Sequence, residues 1–199
     1  MSDVAARLVD YYEREMAERA TRPLADEREQ RLTAFVELLR DEGLGSVVEV
    51  GCGAGRDGVR IAGAGVAYSG VDLTPAAVDL CRGLGLDAHV GSATELPFAD
   101  DSFDAGWTMS TLMHLPGDEM VRALAELRRV VRAGGLLEVG VWGADTSSEW
   151  TDDGGRYFRS RTDEGLRGLL GAVGEVVAFD TWTHFTDGGH YQWARVVVS

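Results

Sequence analysis

Apolar residues recur every three or four positions through the first 43 residues, which is the spacing of a buried helix face. Pro23 interrupts the first of two such stripes and Gly43 ends the second, so the pattern predicts two helices. The stripes consist of Val4, Leu8, Tyr11, Tyr12 and Met16, and of Leu32, Phe35, Val36 and Leu39.

From residue 46 onward, short apolar runs alternate with helical segments. This alternation is typical of right-handed crossovers, which build a parallel sheet covered by helices on both faces. The runs lie at residues 47–50, 67–71, 88–90, 105–109 and 136–142, and the helical segments include residues 74–83 and 118–132. The sequence therefore predicts an α/β fold.

The C-terminal part departs from this rhythm. Thr162 is placed to cap a helix that runs to about residue 173, and strand-like runs follow at residues 176–185 and 191–198. The connecting residues, 186–189, are too few for a parallel crossover. The two runs are therefore expected to form an antiparallel hairpin at an edge of the sheet.

A polar stretch at residues 143–161 joins the fifth predicted strand to the last helix. Loops at the carboxyl edge of such sheets commonly shape ligand pockets, so its side chains are candidates for contact with a substrate; a solvated insertion is the alternative. The candidates are Trp142, Trp150, Tyr157, Phe158 and Arg159. We expect a single domain over residues 1–199. Its parts are the N-terminal helices (1–43), a core with the alternating strands and helices (44–142), and a C-terminal loop, helix and hairpin (143–199).

Composition narrows the classes of function. The chain has 199 residues, 45% hydrophobic and 26% charged, which is enough for one domain with a sizeable core. Its net charge of -14 repels polyanions and argues against nucleic acid as the substrate. All 19 basic residues are arginines, so a lysine Schiff base and a lysine-bearing phosphate loop are excluded.

The two cysteines, Cys52 and Cys81, are too few for a disulfide framework and lack the spacing of metal ligands. The sequence thus predicts no metal site, and a reducing cytoplasm is the expected compartment. No stretch has the length and apolar content of a membrane helix, and the N-terminus lacks the pattern of a signal peptide, so no membrane partner is expected. The oligomeric state is not predicted.

The segment at residues 47–58 carries the strongest chemical signal. A buried strand runs into Gly51, Gly53 and Gly55, which let the backbone turn sharply and approach a ligand closely. This is typical of a nucleotide-type cofactor loop. Gly53, Gly55 and Gly58 also have the G-x-G-x-x-G spacing of dinucleotide binders, and a plain strand-to-helix turn is a further alternative.

Asp72 ends the next predicted strand, at the carboxyl edge beside the glycine loop. A carboxylate there is placed to accept both hydroxyls of a ribose. Asp72 also precedes Thr74 and Pro75, so a role at the start of the following helix is an alternative that does not exclude ribose binding.

Several motifs in register resemble the class I S-adenosylmethionine-dependent methyltransferases, in particular the branch that includes ubiquinone and menaquinone biosynthesis enzymes and many small-molecule methyltransferases. The motifs are EVGCGAG at 49–55, VDLT at 71–74, LPF at 96–98, SFD at 102–104, HL at 114–115 and LRRVVRAGG at 127–135. The resemblance covers roughly residues 45–142. It implies a Rossmann-like, doubly wound, mostly parallel seven-stranded sheet whose last strand is antiparallel. It also implies S-adenosylmethionine as the cofactor and S-adenosylhomocysteine as the product.

The resemblance also assigns roles to individual positions. The loop after the first strand surrounds the methionine part of the cofactor, the acid after the second strand binds the ribose, and the next residue packs on the adenine. The corresponding residues here are Glu49, Gly51, Cys52, Gly53 and Arg56 in the loop, Asp72 at the ribose and Leu73 at the adenine.

Three more cofactor contacts follow from the same resemblance. Ser92 and Ala93 stand where the family often has Asp-Ala beside the adenine amino group, so the base loses a charge-assisted hydrogen bond. Met109, followed by Ser110, corresponds to the end of the fourth strand that faces the methyl group. Tyr12 corresponds to a tyrosine that covers the methionine end, so the first helix is expected to act as a lid.

His114 is the best candidate for a catalytic base among the four histidines. It follows the fourth strand at the carboxyl edge, where open sheets bind ligands, and its imidazole is expected to titrate near neutrality. Orientation of the substrate is the alternative role, since alignment of the reactants contributes more than a general base does. His89 is expected to be structural, and His184 and His190 to lie at surface or edge positions.

Together these features predict a cytoplasmic methyltransferase that transfers a methyl group by in-line displacement to a small-molecule acceptor. The alternatives are a nicotinamide-dependent oxidoreductase with the same glycine loop and a methyltransferase-like protein that binds the cofactor without catalysis. The oxidoreductase predicts a further parallel half in place of the terminal hairpin. A tRNA methyltransferase is disfavoured by the acidic charge.

Overall fold

The computed structural model describes residues 2–183 and 189–199. Both N-terminal helices are confirmed: the first begins after Ser2, whose hydroxyl accepts a hydrogen bond from the Ala5 amide at 3.2 Å, and ends before Pro23. The helices are α1 Asp3–Thr21, α2 Asp26–Asp41, α3 Arg56–Ala62, α4 Pro75–Gly83, α5 Glu119–Val130 and α6 Asp163–Leu170. As predicted, Thr162 caps α6: its hydroxyl accepts from the Gly165 amide at 3.1 Å.

The predicted sheet is also confirmed. The strands are β1 Ser46–Val50, β2 Ala67–Asp72, β3 Ala88–Val90, β4 Phe103–Met109, β5 Val131–Gly143, β6 Ser148–Thr151, β7 Tyr157–Ser160, β8 Gly174–Thr183 and β9 His190–Val198. Seven of them form one sheet in the order β3-β2-β1-β4-β5-β9-β8. Strands β1 to β5 pair in parallel, and β9 lies antiparallel between β5 and β8.

Hydrophobic clusters cover both faces of this sheet. Val47 and Val48 are neighbours on β1, so their side chains point to opposite faces, and each belongs to a different cluster. One cluster gathers side chains of α5 and α6, and the other gathers side chains of α2, α3 and α4. The doubly covered sheet fixes the carboxyl ends of β1, β2 and β4 at one edge of the molecule.

The polar stretch at residues 143–161, expected as a loop, contains the two-stranded antiparallel sheet of β6 and β7. Stacked aromatic rings connect this small sheet to Trp142 of β5. The Phe158 ring lies between those of Trp142, at 4.8 Å between centroids, and Trp150, at 5.3 Å. Phe158 is 2% exposed and Trp150 is 40% exposed. The hairpin thus places stacked aromatic rings over one end of the core.

The three remaining histidines, His89, His184 and His190, were expected at structural, surface or edge positions. His89 is partly exposed on β3, beside Asp87 at 3.2 Å, and His190 contacts Asp163 at 2.9 Å at the start of β9. His184 and most of the connection at residues 186–189 lie outside the described residues.

In the described part of the chain, no helix combines the length and the apolarity needed to cross a bilayer.

Glu138 on β5 fixes the antiparallel strand β9. Its fully buried carboxylate accepts hydrogen bonds from Trp193 Nε1 at 2.9 Å and from Arg195 Nε and Nη2 at 2.8 and 2.5 Å. We expect Glu138→Gln to lower the free energy of unfolding by about 3 kcal/mol, because it leaves the Arg195 charge without its partner. Urea denaturation measures this. The control Glu175→Gln, at an exposed position of β8, is expected to change stability by less than about 0.5 kcal/mol. Equal effects of the two changes would contradict the account.

Candidate active site

A cavity of about 600 Å³ opens at the carboxyl ends of β1, β2 and β4 and is covered by α1. The structure brings nearly all the predicted site residues to its wall. These are Tyr12, Gly51, Cys52, Gly53, Arg56, Asp72, Leu73, Ser92, Ala93, Met109 and His114. The exception is Glu49.

The glycine loop after β1 shapes one side of this cavity. Gly51 has φ of +81°, and a Cβ there would lie 1.9 Å from Thr111 Oγ1, so only glycine fits between the two loops. Gly53 has φ of +51°, and a Cβ there would meet no atom within 4 Å of the described residues. The backbone at Gly53 is thus left open towards the cavity.

Asp72 lies against the same loop, as the sequence predicted. Its Oδ2 accepts from the Gly53 amide and its Oδ1 from the Thr74 amide, both at 2.9 Å. Burial raises the pKa of Asp72, while these amides oppose the shift. Each carboxylate oxygen has two lone pairs, so the group can accept further hydrogen bonds from the cavity side.

Glu49 is placed differently from what the family resemblance implies. Its carboxyl is 2% exposed, lies outside the cavity wall and accepts a hydrogen bond from the Tyr68 hydroxyl of β2 at 2.6 Å. Burial and the nearby carboxylate of Asp57 raise the pKa of Glu49 well above its usual range. The Glu49 carboxyl therefore links β1 to β2 inside the core.

His114 lies at the end of a single 3-10 turn, Leu112–His114, and is 4% exposed. Its Nδ1 lies 2.8 Å from the Tyr157 carbonyl oxygen, which can only accept, so Nδ1 carries the proton. Its Nε2 therefore accepts from the Tyr12 hydroxyl at 3.1 Å. Burial lowers the pKa of His114 to about 4, so the expectation that it titrates near neutrality is wrong.

Tyr12 on α1 closes the cavity from above through this bond to His114. The Arg19 guanidinium stacks over its ring at 4.7 Å from the centroid, and burial raises the pKa of the hydroxyl. Tyr12, Met16 and Arg19 are spaced four and three residues apart and share one helix face. That spacing was the sequence signal for Arg19, which the sequence prediction missed.

Arg28 on α2 is a second cavity residue missed from the sequence. Its Nε and Nη2 donate to Asp57 Oδ2 at 3.0 and 2.6 Å, and Trp107 Nε1 donates to the same oxygen at 2.7 Å. This buried arrangement ties α2 to α3 and to β4. No local pattern in the sequence pairs an arginine with an acid so far along the chain.

The Ser92 side chain at the cavity wall is held by its own loop. Its hydroxyl lies 2.8 Å from Thr94 Oγ1 and accepts a hydrogen bond from the Thr94 amide at 3.2 Å.

Among the residues that the structure describes, no group of three or more His, Cys, Asp and Glu side chains is arranged to hold a metal ion.

Part of the chain is similar to known proteins. Residues 48–139 match the family described as a methyltransferase domain. Methyltransferase GfsG of Streptomyces halstedii is 33% identical over 129 residues, which cover 59% of this chain and 45% of that protein. The tRNA (carboxymethyluridine(34)-5-O)-methyltransferase of Arabidopsis thaliana is 31% identical over 135 residues, 64% of this chain and 32% of that protein. The chain thus spans less than half the length of these curated relatives.

A solved structure extends the likeness to the whole fold. The Burkholderia thailandensis 1,6-didemethyltoxoflavin-N1-methyltransferase, with bound 1,6-didemethyltoxoflavin and S-adenosylhomocysteine, superposes with a TM-score of 0.81 at 20% identity. The superposition covers 100% of this chain and 92% of that one. The sheet order, the glycine loop and the acid at the end of β2 agree with both likenesses, so residues 48–139 resemble a methyltransferase domain within a fold that the two proteins share.

Proposed function

We propose that this protein transfers a methyl group from S-adenosylmethionine to a small-molecule acceptor. One observation carries the proposal: the Asp72 carboxylate and the open backbone of Gly53 lie side by side at the wall of a deep cavity. A ribose and a methionine moiety need such an acid and such an open backbone next to each other. The alternative oxidoreductase is not favoured, because β9 runs antiparallel where that enzyme would need a further parallel half.

The cavity suits the cofactor in size and in chemistry. Its volume of about 600 Å³ falls in the range of roughly 300 to 1,000 Å³ of small-molecule sites. We assign the ribose to Asp72, the adenine to Leu73 and Ser92, and the methionine end to the glycine loop under Tyr12. Arg19 Nε is buried and, among the described residues, has no hydrogen-bond partner, so it is available to a polar ligand group.

The bound cofactor supplies a methyl group that is already activated by its sulfonium. The chain must then hold an acceptor in line behind the methyl group and keep water out, and orientation of this kind lowers a barrier by roughly 7 to 11 kcal/mol. Met109, the last residue of β4, and Ser110, which follows it, line the cavity and are our candidates for the wall beside the methyl group. Tyr12 and α1 cover the opening.

We assign His114 to positioning, with direct proton transfer as the alternative. An imidazole whose pKa is about 4 is neutral at pH 7 and is a weak base. Its Nε2 lone pair holds the Tyr12 hydroxyl, and thereby the lid, and the same atom is available to an acceptor hydroxyl or amine when Tyr12 moves.

The choice of a small molecule over RNA rests on charge. A chain with a net charge of -14 repels a polyanion, although one relative is named as a tRNA methyltransferase.

We place the protein in the cytoplasm, because Cys52 and Cys81 are free thiols with their sulfurs 3.6 Å apart. We further propose that residues 1–199 act as one domain, since α1 covers a cavity built by the sheet.

The direct test of the activity uses the purified protein, S-adenosylmethionine with a deuterated methyl group, and a metabolite extract. We expect mass spectrometry to find at least one small compound that gains one labelled methyl group. Boiled protein is the control. Labelling confined to added tRNA would contradict the small-molecule proposal, and no labelling of any compound would favour the non-catalytic alternative.

Binding of the cofactor is expected to stabilise the native state by mass action. S-adenosylhomocysteine at 100 times its dissociation constant adds about 2.7 kcal/mol to the free energy of unfolding, and thermal denaturation reports this as a higher Tm. NAD is expected to leave the Tm unchanged. A shift caused by NAD and not by S-adenosylhomocysteine would reverse the assignment.

Asp72→Asn is expected to weaken S-adenosylhomocysteine binding about tenfold or more, because the amide replaces a charged acceptor of two hydroxyls by a neutral one. Isothermal titration measures the dissociation constant. Asp79→Asn, an exposed change on α4, is the matched control and is expected to bind as the unchanged protein does. If Asp72→Asn binds as tightly as Asp79→Asn, the ribose assignment fails.

The low pKa of His114 predicts a pH-dependent stability. Below about pH 6.5 the unfolded chain binds a proton at this imidazole, whereas the native state excludes it down to about pH 4. His114 therefore costs stability as the pH falls through this window, by roughly 3 kcal/mol in total. Urea denaturation at pH 7.5 and pH 5 is expected to show a steeper loss for the wild type than for His114→Gln. Identical losses would show that His114 titrates normally.

A further inference from the structure

A second, smaller cavity of about 130 Å³ adjoins the cofactor cavity. Three residues, Arg28, Arg56 and Ser110, line both spaces. The rest of its wall consists of the turn between α1 and α2 and two aromatic residues of the terminal strands, and these residues are Pro23, Leu24, Ala25, Trp182 and Tyr191. We call this space the side chamber.

The side chamber adjoins the place where the methyl group is expected. Ser110 follows β4 with φ of +59°, and its hydroxyl lies 3.0 Å from the Tyr191 hydroxyl. Because Ser110 belongs to both walls, a molecule in the side chamber is next to the methyl end of the proposed cofactor site. A methyl acceptor needs a position of this kind.

Positive charge is concentrated at the junction of the two spaces. Within the described residues, neither Arg19 nor Arg56 has a carboxylate within 4 Å, and Arg28 has Asp57 alone. Burial and the neighbouring Arg28 guanidinium lower the pKa of Arg56. At the residues that line both spaces, the two guanidiniums of Arg28 and Arg56 are accompanied by the one carboxylate paired with Arg28, that of Asp57, so one positive charge is left over there in a chain with a net charge of -14.

The proposed cofactor does not balance this excess. Its amino acid end carries one carboxylate and one ammonium, and its sulfonium adds a further positive charge. Arg28 uses Nε and Nη2 for Asp57, and Arg56 uses Nη1 for the Arg22 carbonyl. Counting only partners in residues 2–183 and 189–199, Arg28 keeps Nη1 and Arg56 keeps Nε and Nη2. Donors and charge thus remain for an anionic group of a second ligand.

The volume and the lining of the side chamber limit what carries that anion. An apolar cavity of about 150 Å³ accepts a benzene molecule, so about 130 Å³ corresponds to one six-membered ring. The Trp182 and Tyr191 rings stack on each other at 4.9 Å and form an aromatic wall, with Pro23 and Leu24 among the aliphatic lining. Such walls favour a flat ring.

We propose that the methyl acceptor is a small ring carboxylic acid, with its acid group on Arg28 and Arg56 and its ring against Trp182 and Tyr191. This rests on the proposed methyltransferase function. A carboxylate held by two guanidiniums is a poor nucleophile, so the acid anchors the acceptor and another atom of the molecule receives the methyl group.

The test compares acids with their neutral amides on protein saturated with S-adenosylhomocysteine. The probes are benzoate and 4-hydroxybenzoate against benzamide and 4-hydroxybenzamide, and NMR titration gives their dissociation constants. We expect each acid to bind at least about tenfold more tightly than its amide, because only the acid forms charge-assisted hydrogen bonds. Equal binding of acid and amide, or no binding of either, would overturn the proposal.

Two further outcomes separate this proposal from the proposed function. Benzoate is also titrated into the protein without S-adenosylhomocysteine, which is then added. If the addition displaces benzoate, the acid occupies the place of the cofactor carboxylate, and the acceptor proposal is wrong while the cofactor site stands. If S-adenosylhomocysteine itself does not bind in its own titration, the proposed function fails first, and the inference fails with it.

Arg56→Gln is expected to weaken benzoate binding about tenfold and to leave benzamide binding nearly unchanged. Arg56→Lys keeps the charge and is expected to recover part of the loss. Arg14→Gln, exposed on α1 beside Asp10, is the matched control and is expected to bind benzoate as the wild type does. All variants are compared at saturating S-adenosylhomocysteine. Equal benzoate affinity of Arg56→Gln and Arg14→Gln would refute the assignment of the acid to Arg56.

Discussion

The pairing of the Asp72 carboxylate with the backbone amides of Gly53 and Thr74 organises this molecule. It links the turn after β1 to the start of α4, so the two loops that build the proposed cofactor cavity are fixed relative to each other. The pairing needs a short side chain at Asp72 and a positive φ at Gly53, where a side chain would fill the ligand space. Fold and binding chemistry therefore depend on the same few atoms.

The remaining cavity is closed by elements remote in sequence. His114 holds Tyr12 of α1 through Nε2 and the Tyr157 carbonyl of β7 through Nδ1, so the lid and the aromatic hairpin meet at one imidazole. Arg28 binds Asp57 from the next helix. Each link uses the low polarity of the interior, which keeps His114 neutral and strengthens the ion pair.

The sequence predicted what local rules determine. Period and turn residues located the helices and the sheet, and the glycine spacing placed Gly53 beside Asp72. It failed where distant contacts decide. The Glu49 carboxyl accepts a hydrogen bond from Tyr68 of β2. The sequence did not predict this partner, because a strand buried on both faces gives no sign of which neighbour a polar side chain meets. Strand β6 is exposed, and its Trp150 ring stacks on Phe158 of β7. The burial that lowers the pKa of His114 comes from elements far along the chain.

We propose that Asp72 and the glycine loop hold opposite parts of one adenosyl cofactor. A crystal structure of the protein with S-adenosylhomocysteine is the decisive experiment. We expect both ribose hydroxyls within hydrogen-bond distance of the Asp72 carboxylate and the homocysteine part along the backbone of Gly51 and Gly53. A ligand bound elsewhere, or a ribose that leaves Asp72 bonded to the protein amides alone, would contradict it.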